Sequence, residues 1–237
     1  MAFASASLSR IGKRRFNEDR CGETAAGLVR GWVVADGVGG HPGGAAAAER
    51  AVTAALAAIA GASRVAGAVH AALEAAQHAV AGGRAAGGEG AQMATTIALV
   101  VSDGVSVAWG HVGDSRVYRV RDGACAVLTR DHSLAAALAA LAGSAGGDDD
   151  VAHGNQLLSS LGPDDPAYTV ADPEPLHPRD AFLVCTDGLW SHLSPAVIAR
   201  EHDASPTPAE WLERLARLVE QRADPLQDNY TAIGLRA

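Results

Sequence analysis

Two Asp-Gly pairs stand where apolar runs end. "VVADGVGG" (Val33–Gly40) delivers Asp36, and "LVCTDGLW" (Leu183–Trp190) delivers Asp187. Asp228 opens a third apolar run, "DNYTAI", while Glu18 and Asp19 lie in "RRFNED" before the first clear strand. Asp114 sits in "GDSR" between two β runs. Acids at the ends of strands from distant parts of a chain can meet at one edge of a sheet assembly. Together they repel one another and are costly to desolvate unless cations neutralise them. Oxygen-only ligands suit hard cations, so Mg²⁺ or Mn²⁺ is favoured over zinc. Gly37 lets the backbone approach closely, so that its carbonyl could join such a site. A single Asp-Gly is more often a turn than a ligand. Two at the ends of apolar strands, with "NED", "GDSR" and "DN" besides, are hard to assign to turns alone. Arg14 precedes Asp19 in "KRRFNED", and a guanidinium beside a metal centre suits bidentate capture of phosphate. Taken by itself, "KRR" has the look of an ordinary solvated basic run.

Other chemistries fit less well. "GVGGHPGG" lacks the G-K-[ST] of a phosphate-binding loop, and "DDD" at Asp148–Asp150 lacks the ligand order of an EF-hand. His111 and His132 flank the motifs, but carboxylate sites for hard cations need no imidazole, so both read as structural. Thr95, Thr96 and Ser115 have no adjacent base and read as strand-forming or hydrogen-bonding residues. Cys21, Cys125 and Cys185 form no C-x-x-C pair, which argues against a zinc ribbon or a disulfide framework.

Elements must carry these residues to one place. The 237 residues suffice for one sizeable core, and with 48 % hydrophobic but only 4 % aromatic residues that core is built from Ala, Val and Leu. The net charge of -8 speaks against a nucleic-acid partner. No long apolar run and no leader pattern opens or crosses the chain, so a cytoplasmic protein without a membrane partner is expected. Strands are expected at Leu28–Ala35, Asp180–Gly188 and Asp228–Ala237. Four β runs between Met93 and Asp131, punctuated by "SDG" and "RDG", predict an antiparallel meander. Helices are expected at Gly43–Gly61, Ser63–Ala81, Ser133–Ala142, Pro195–Glu201 and Thr207–Ala223, with Gly82–Gly90 a flexible connector. No internal boundary appears, so residues 1–237 read as one domain.

In this order, "RRFNED", "VVADGVGG", "MATTIALV", "GHVGDSRVY", "LTRDHS", "LLSSLG", "LVCTDGLW" and "DNYTAI" resemble the motifs of the metal-dependent PP2C-type (PPM) protein serine/threonine phosphatases. Each piece is weak, but the ordered set spans almost the whole chain. The resemblance implies an α+β fold, a four-layer αββα sandwich in which helix pairs flank two antiparallel sheets. It implies two core Mn²⁺ or Mg²⁺ ions and a possible third. Asp36 would bridge the core pair, Asp187 and Asp228 would bind the first, and the Gly37 carbonyl with Glu18 and Asp19 would serve the second. Asp114 with Asp187 matches the third site, and Arg14 matches the phosphate-binding arginine. A metal-activated water would then hydrolyse phosphoserine or phosphothreonine in proteins, opposing a serine/threonine kinase, with a monomer expected. Residues 133–162 match the family's flap, although their Gly/Asp-rich front departs from its usual helix. Val38 stands where some members carry a histidine, so the general acid is not assigned, and His41 is three positions further on. "DGLW" and the chain's size also resemble phosphatases of type VI secretion control. Two rival readings remain: a phosphatase-like module that binds a phosphorylated partner, and a phosphatase for another phosphate ester.

Overall fold

The computed structural model describes residues 1–39, 42–143, 156–222 and 225–237. Among the described residues, eleven strands and six α-helices follow one another. The strands are β1 (Ala4–Arg10), β2 (Arg20–Thr24), β3 (Arg30–Ala35), β4 (Ile97–Ser102), β5 (Ser106–Val112), β6 (Arg116–Arg121), β7 (Ala124–Val127), β8 (Thr169–Val170), β9 (Glu174–Pro175), β10 (Ala181–Cys185) and β11 (Tyr230–Arg236). The helices are α1 (Pro42–Ala60), α2 (Ala68–Ala85), α3 (Leu134–Leu141), α4 (Asp187–Trp190), α5 (Pro195–Asp203) and α6 (Pro208–Arg222). One sheet has the order β1-β11-β10-β6-β7 and the other β2-β3-β4-β5-β8, with β9 also on β5. Every pairing is antiparallel.

Strand alternation sorts the side chains into three apolar layers. Trp32, Val34, Ala98 and Val100 of one sheet meet Phe182, Val184, Ile233 and Leu235 of the other. The opposite faces look outward to helices: Val33, Leu99 and Val101 pack with α1 and α2. Leu183, Cys185 and Ala232 pack with Trp211 and Leu215 of α6. The central strands are therefore buried on both faces, which is why they read as unbroken apolar runs. Small residues let α1 lie close to its sheet: Ala47, Ala48, Ala51 and Ala55 are fully buried. This is the expected four-layer αββα architecture.

Three expectations need correction. The four β runs do not form one meander. β4–β5 and β6–β7 are two hairpins in different sheets, and the chain passes between the sheets at 113–115. The second helix begins at Ala68 rather than Ser63, because Gly67 takes a left-handed φ of 82° immediately before it. Gly82–Gly90 is not a loop throughout: α2 runs on to Ala85 and a 3-10 turn covers Gly88–Gln92. β1 and β2 were not expected. The Gly/Asp-rich front of the flap segment and His41 lie outside the described residues; the helix expected at Ser133–Ala142 is α3, and Ser133 caps it, its Oγ accepting from the Ala136 N–H at 3.2 Å. Among the described residues no helix is long and apolar enough to cross a membrane.

Ile59 of α1 is fully buried against the sheet, whereas Leu28 is 75 % exposed. Ile59→Ala is expected to cost about 2–5 kcal/mol in urea denaturation, and Leu28→Ala less than about 0.5 kcal/mol.

Candidate metal centre

Asp36 directly follows strand β3, and Thr95 and Thr96 hold it in place. The Asp36 N–H donates to Thr96 Oγ1 at 3.1 Å, and the Asp36 carbonyl accepts from the Thr96 N–H and from Thr95 Oγ1, both at 2.8 Å. Thr96 Oγ1 in turn bonds Ser115 Oγ at 2.7 Å. These residues thus serve the backbone of the site, and none is set up as a nucleophile. Gly37 is required by space: a Cβ there would lie 2.3 Å from the Gly44 carbonyl carbon. A Cβ on Gly44 would in turn lie 2.7 Å from Glu18 Oε1 and 3.0 Å from the Gly37 oxygen. The Glu18 carboxylate and the Gly37 carbonyl therefore crowd the same point at the start of α1.

The second sheet supplies the other acids. β10 ends at Cys185, and Asp187 opens the single turn of α4 rather than closing a strand. Gly188 permits the next chain to cross, since a Cβ would meet the Asn229 carbonyl oxygen at 2.0 Å. Asp228 lies there, just before β11. Buried Asn229 ties in the "RRFNED" segment. Its Nδ2 donates to the Ile11 and Phe16 carbonyls at 2.8 and 3.0 Å, and its Oδ1 accepts from the Glu18 N–H at 2.9 Å. Arg14 Nη2 reaches Asp228 Oδ2 at 2.6 Å. Asp19 is buried; Thr186 Oγ1 donates to its Oδ2 at 2.9 Å, while its Oδ1 has no hydrogen-bond partner. Asp114 is buried at the crossing between sheets, with its carbonyl accepting from Trp190 Nε1 at 2.9 Å.

The electrostatics show how close these acids are. Burial, then Asp19, Asp187, Asp114 and Asp228, pushes Asp36 well above the usual carboxylate range. Burial and Asp187 do the same to Asp114. Asp19 is pushed up to about 7 by burial and by Asp187 and Asp228, against the opposing influence of the Thr231 and Thr186 hydroxyls. Arg14 is shifted upward, chiefly by its hydrogen bond to Asp228, with Asp187 and Asp36 adding to it. Asp19, Asp114, Asp187 and Asp228 thus all lie within electrostatic reach of Asp36, with Arg14 beside them.

The histidines are committed elsewhere. His111 and His132 stack at 4.5 Å between ring centroids. His111 Nε2 donates to the Arg130 carbonyl at 2.8 Å, and His132 Nδ1 accepts from the Gly113 N–H at 3.2 Å. Burial pushes His111 down to about 4, so it is neutral near pH 7.

The sequence model of the protein phosphatase 2C family matches residues 8–229. The chain belongs to that family. A 2C-type protein phosphatase of Streptococcus pyogenes is 33 % identical over 104 residues, which cover 43 % of this chain and 42 % of that protein. PppA of Pseudomonas aeruginosa, named as a regulatory component of its type VI secretion system, is 29 % identical with a TM-score of 0.84, over 100 % of this chain and 98 % of PppA. The catalytic domain of the serine/threonine phosphatase PstP, solved with two manganese ions, is 26 % identical with a TM-score of 0.83, over 99 % and 97 % of the two chains.

The donor set fits the hard cations on which 2C-type phosphatases depend. It is all oxygen, it holds an orphaned buried carboxylate oxygen on Asp19, and its acids are raised by the burial and repulsion that a cation would relieve. Among the described residues no three Asp, Glu, His or Cys side chains close on one point tightly enough to hold an ion unaided. Asp228 leans on Arg14. The sequence reading missed the residues that hold the acids. Thr186 sits inside "CTDG" and Asn229 inside "DN", so both were visible, but a hydrogen-bonding role leaves no periodic signal.

Asp19, Asp36 and Asp114 keep their protons to higher pH in the folded chain than in the unfolded one. Between the ordinary carboxylate range and their raised values the folded state binds more protons, so their contribution to stability falls as pH rises. In chelator, Asp36→Asn is expected to melt above wild type by a margin that grows as pH rises above the ordinary carboxylate range. Mn²⁺ should raise the wild type more than the variant. A margin that does not change with pH would show that these acids are not strained by one another.

Proposed function

We propose that the protein hydrolyses phosphoserine and phosphothreonine in proteins, with Mn²⁺ or Mg²⁺ bound among these acids. The observation that carries this reading is the gathering of five aspartates from both sheets, with exposed Arg14 at their edge. Asp36, Asp187 and Asp228 would hold the first ion. Asp36, the Gly37 carbonyl, Glu18 and Asp19 would hold the second or its waters, and Asp114 with Asp187 a weaker third. Such ions supply an acidified water and neutralise charge on phosphoryl oxygens.

The chain's own residues do the rest. The Arg14 side chain is 53 % exposed, so its guanidinium can turn from Asp228 to two phosphoryl oxygens and orient the group. Thr95, Thr96 and Ser115 fix Asp36 through its backbone, leaving the carboxylate to its ligand role. Val38 has no proton to give, and the bonds of His111 and His132 take both imidazoles out of the reaction, so neither protonates the leaving alkoxide. Residues 1–237 act as one catalytic domain, monomeric and cytoplasmic, opposing a serine/threonine kinase. The likeness to PppA supports a place in secretion control.

With Mn²⁺, p-nitrophenyl phosphate and a phosphothreonine peptide should both turn over, and chelator should abolish both reactions. Asp36→Asn and Asp187→Asn should each lower kcat on the order of 10²-fold or more. Turnover that survives chelation or either substitution would sink the metal mechanism. A peptide left untouched while small phosphates react would favour another phosphate ester. Tight peptide binding without turnover would favour a binding module.

A further inference from the structure

The loop from Ile11 to Phe16 carries more than Arg14. Lys13, Arg15 and Phe16 are exposed beside it, and Phe16 is 70 % exposed. The other two phenylalanines, Phe3 and Phe182, are buried. The loop is firmly held. The Lys13 N–H donates to the Gln227 carbonyl at 2.9 Å, Asn229 takes the Ile11 and Phe16 carbonyls, and Asn17 Nδ2 donates to Ser9 Oγ at 2.9 Å. The neighbouring arginines have carboxylate partners: Arg10 pairs with Glu213, Arg14 with Asp228 and Arg20 with Glu49. Among the described residues Lys13 and Arg15 form no ion pair. The Arg15 guanidinium instead lies 5.8 Å from the centroid of the Phe16 ring.

Two cations that pair with no carboxylate among the described residues, and an exposed aromatic ring, on a loop held by backbone hydrogen bonds, stand next to the phosphate-binding candidate of a chain whose net charge is -8. A dianionic phosphoryl group already needs Arg14. Anionic side chains close to it in a substrate would meet Lys13 and Arg15, while the aliphatic part of the same segment could lie on Phe16. We infer that this loop selects phosphoserine and phosphothreonine sites flanked by acidic residues, with Lys13 and Arg15 reading the charge and Phe16 adding apolar contact. The inference rests on the phosphatase reading of the adjoining site. It names the class of substrate that the site takes.

Two phosphothreonine peptides of equal length, one flanked by glutamates and one by lysines, test it. At low salt kcat/KM should favour the glutamate peptide by about 5- to 10-fold, mainly through KM, and the preference should shrink in high salt. The double variant K13E/R15E should remove or reverse that preference. Phe16→Ala should lower kcat/KM for both peptides relative to p-nitrophenyl phosphate, with the charge preference kept and the melting temperature unchanged. Fluorescence anisotropy of the labelled glutamate peptide on the Asp36→Asn protein gives a readout without turnover, and K13E/R15E in that background should weaken binding. Equal kcat/KM for the two peptides, or a preference that survives K13E/R15E, would overturn the inference even with an active phosphatase. Failure of every substrate to react would instead strike the phosphatase reading, and the anisotropy comparison would still judge the loop.

Discussion

Repulsion among carboxylates is the constraint around which this molecule is arranged. Asp19, Asp36 and Asp114 are each pushed upward by burial and by neighbouring acids. A flexible chain would relieve that strain by moving the acids apart into water. Here it cannot, because Asp36, Asp187 and Asp228 are fixed through their backbones to strands buried on both faces. Asp36 directly follows β3, Asp187 follows β10 and Asp228 precedes β11. The apolar layer between the sheets, from Trp32 and Val34 to Phe182 and Ile233, is what holds the two sets of acids face to face. The stability of that layer offsets the local cost of the site, a division common where function needs a strained arrangement.

Close backbone approach does the fine positioning. Gly37 against Gly44 and Gly188 against Asn229 bring chain segments nearer than any side chain would allow. Small polar groups then lock the result: Thr96 on Asp36, Thr186 on Asp19 and Asn229 on the segment that carries Arg14 and Glu18. The same Asn229 makes the exposed Ile11–Phe16 loop a fixed surface rather than a loose one. A chain with so few aromatic residues cannot position its site by large interlocking rings. It relies on glycine contacts and short hydrogen bonds instead.

How far the sequence could be read follows from the same physics. β3, β4, β10 and β11 were legible because strands covered on both faces leave unbroken apolar runs. The acids were legible because they sit at the ends of those runs. β1 was missed although Ala4–Ser9 alternates serine with apolar residues, a weak period-2 signal without β-branched side chains. β2, with the sequence RCGET, carries almost no apolar signal; its pairing with β3 makes it a strand. The meander was misread for a more instructive reason. Turn residues report where a chain reverses, but not which sheet it enters next. "SDG" and "RDG" do close hairpins, whereas "GDSR" between them carries the chain across the sandwich, with β5 on one side and β6 on the other. That crossing is what buries Asp114 beside Asp187. Read as one more step of a meander, the segment would leave its aspartate on the rim of a single sheet; read as a passage between sheets, it becomes part of the site.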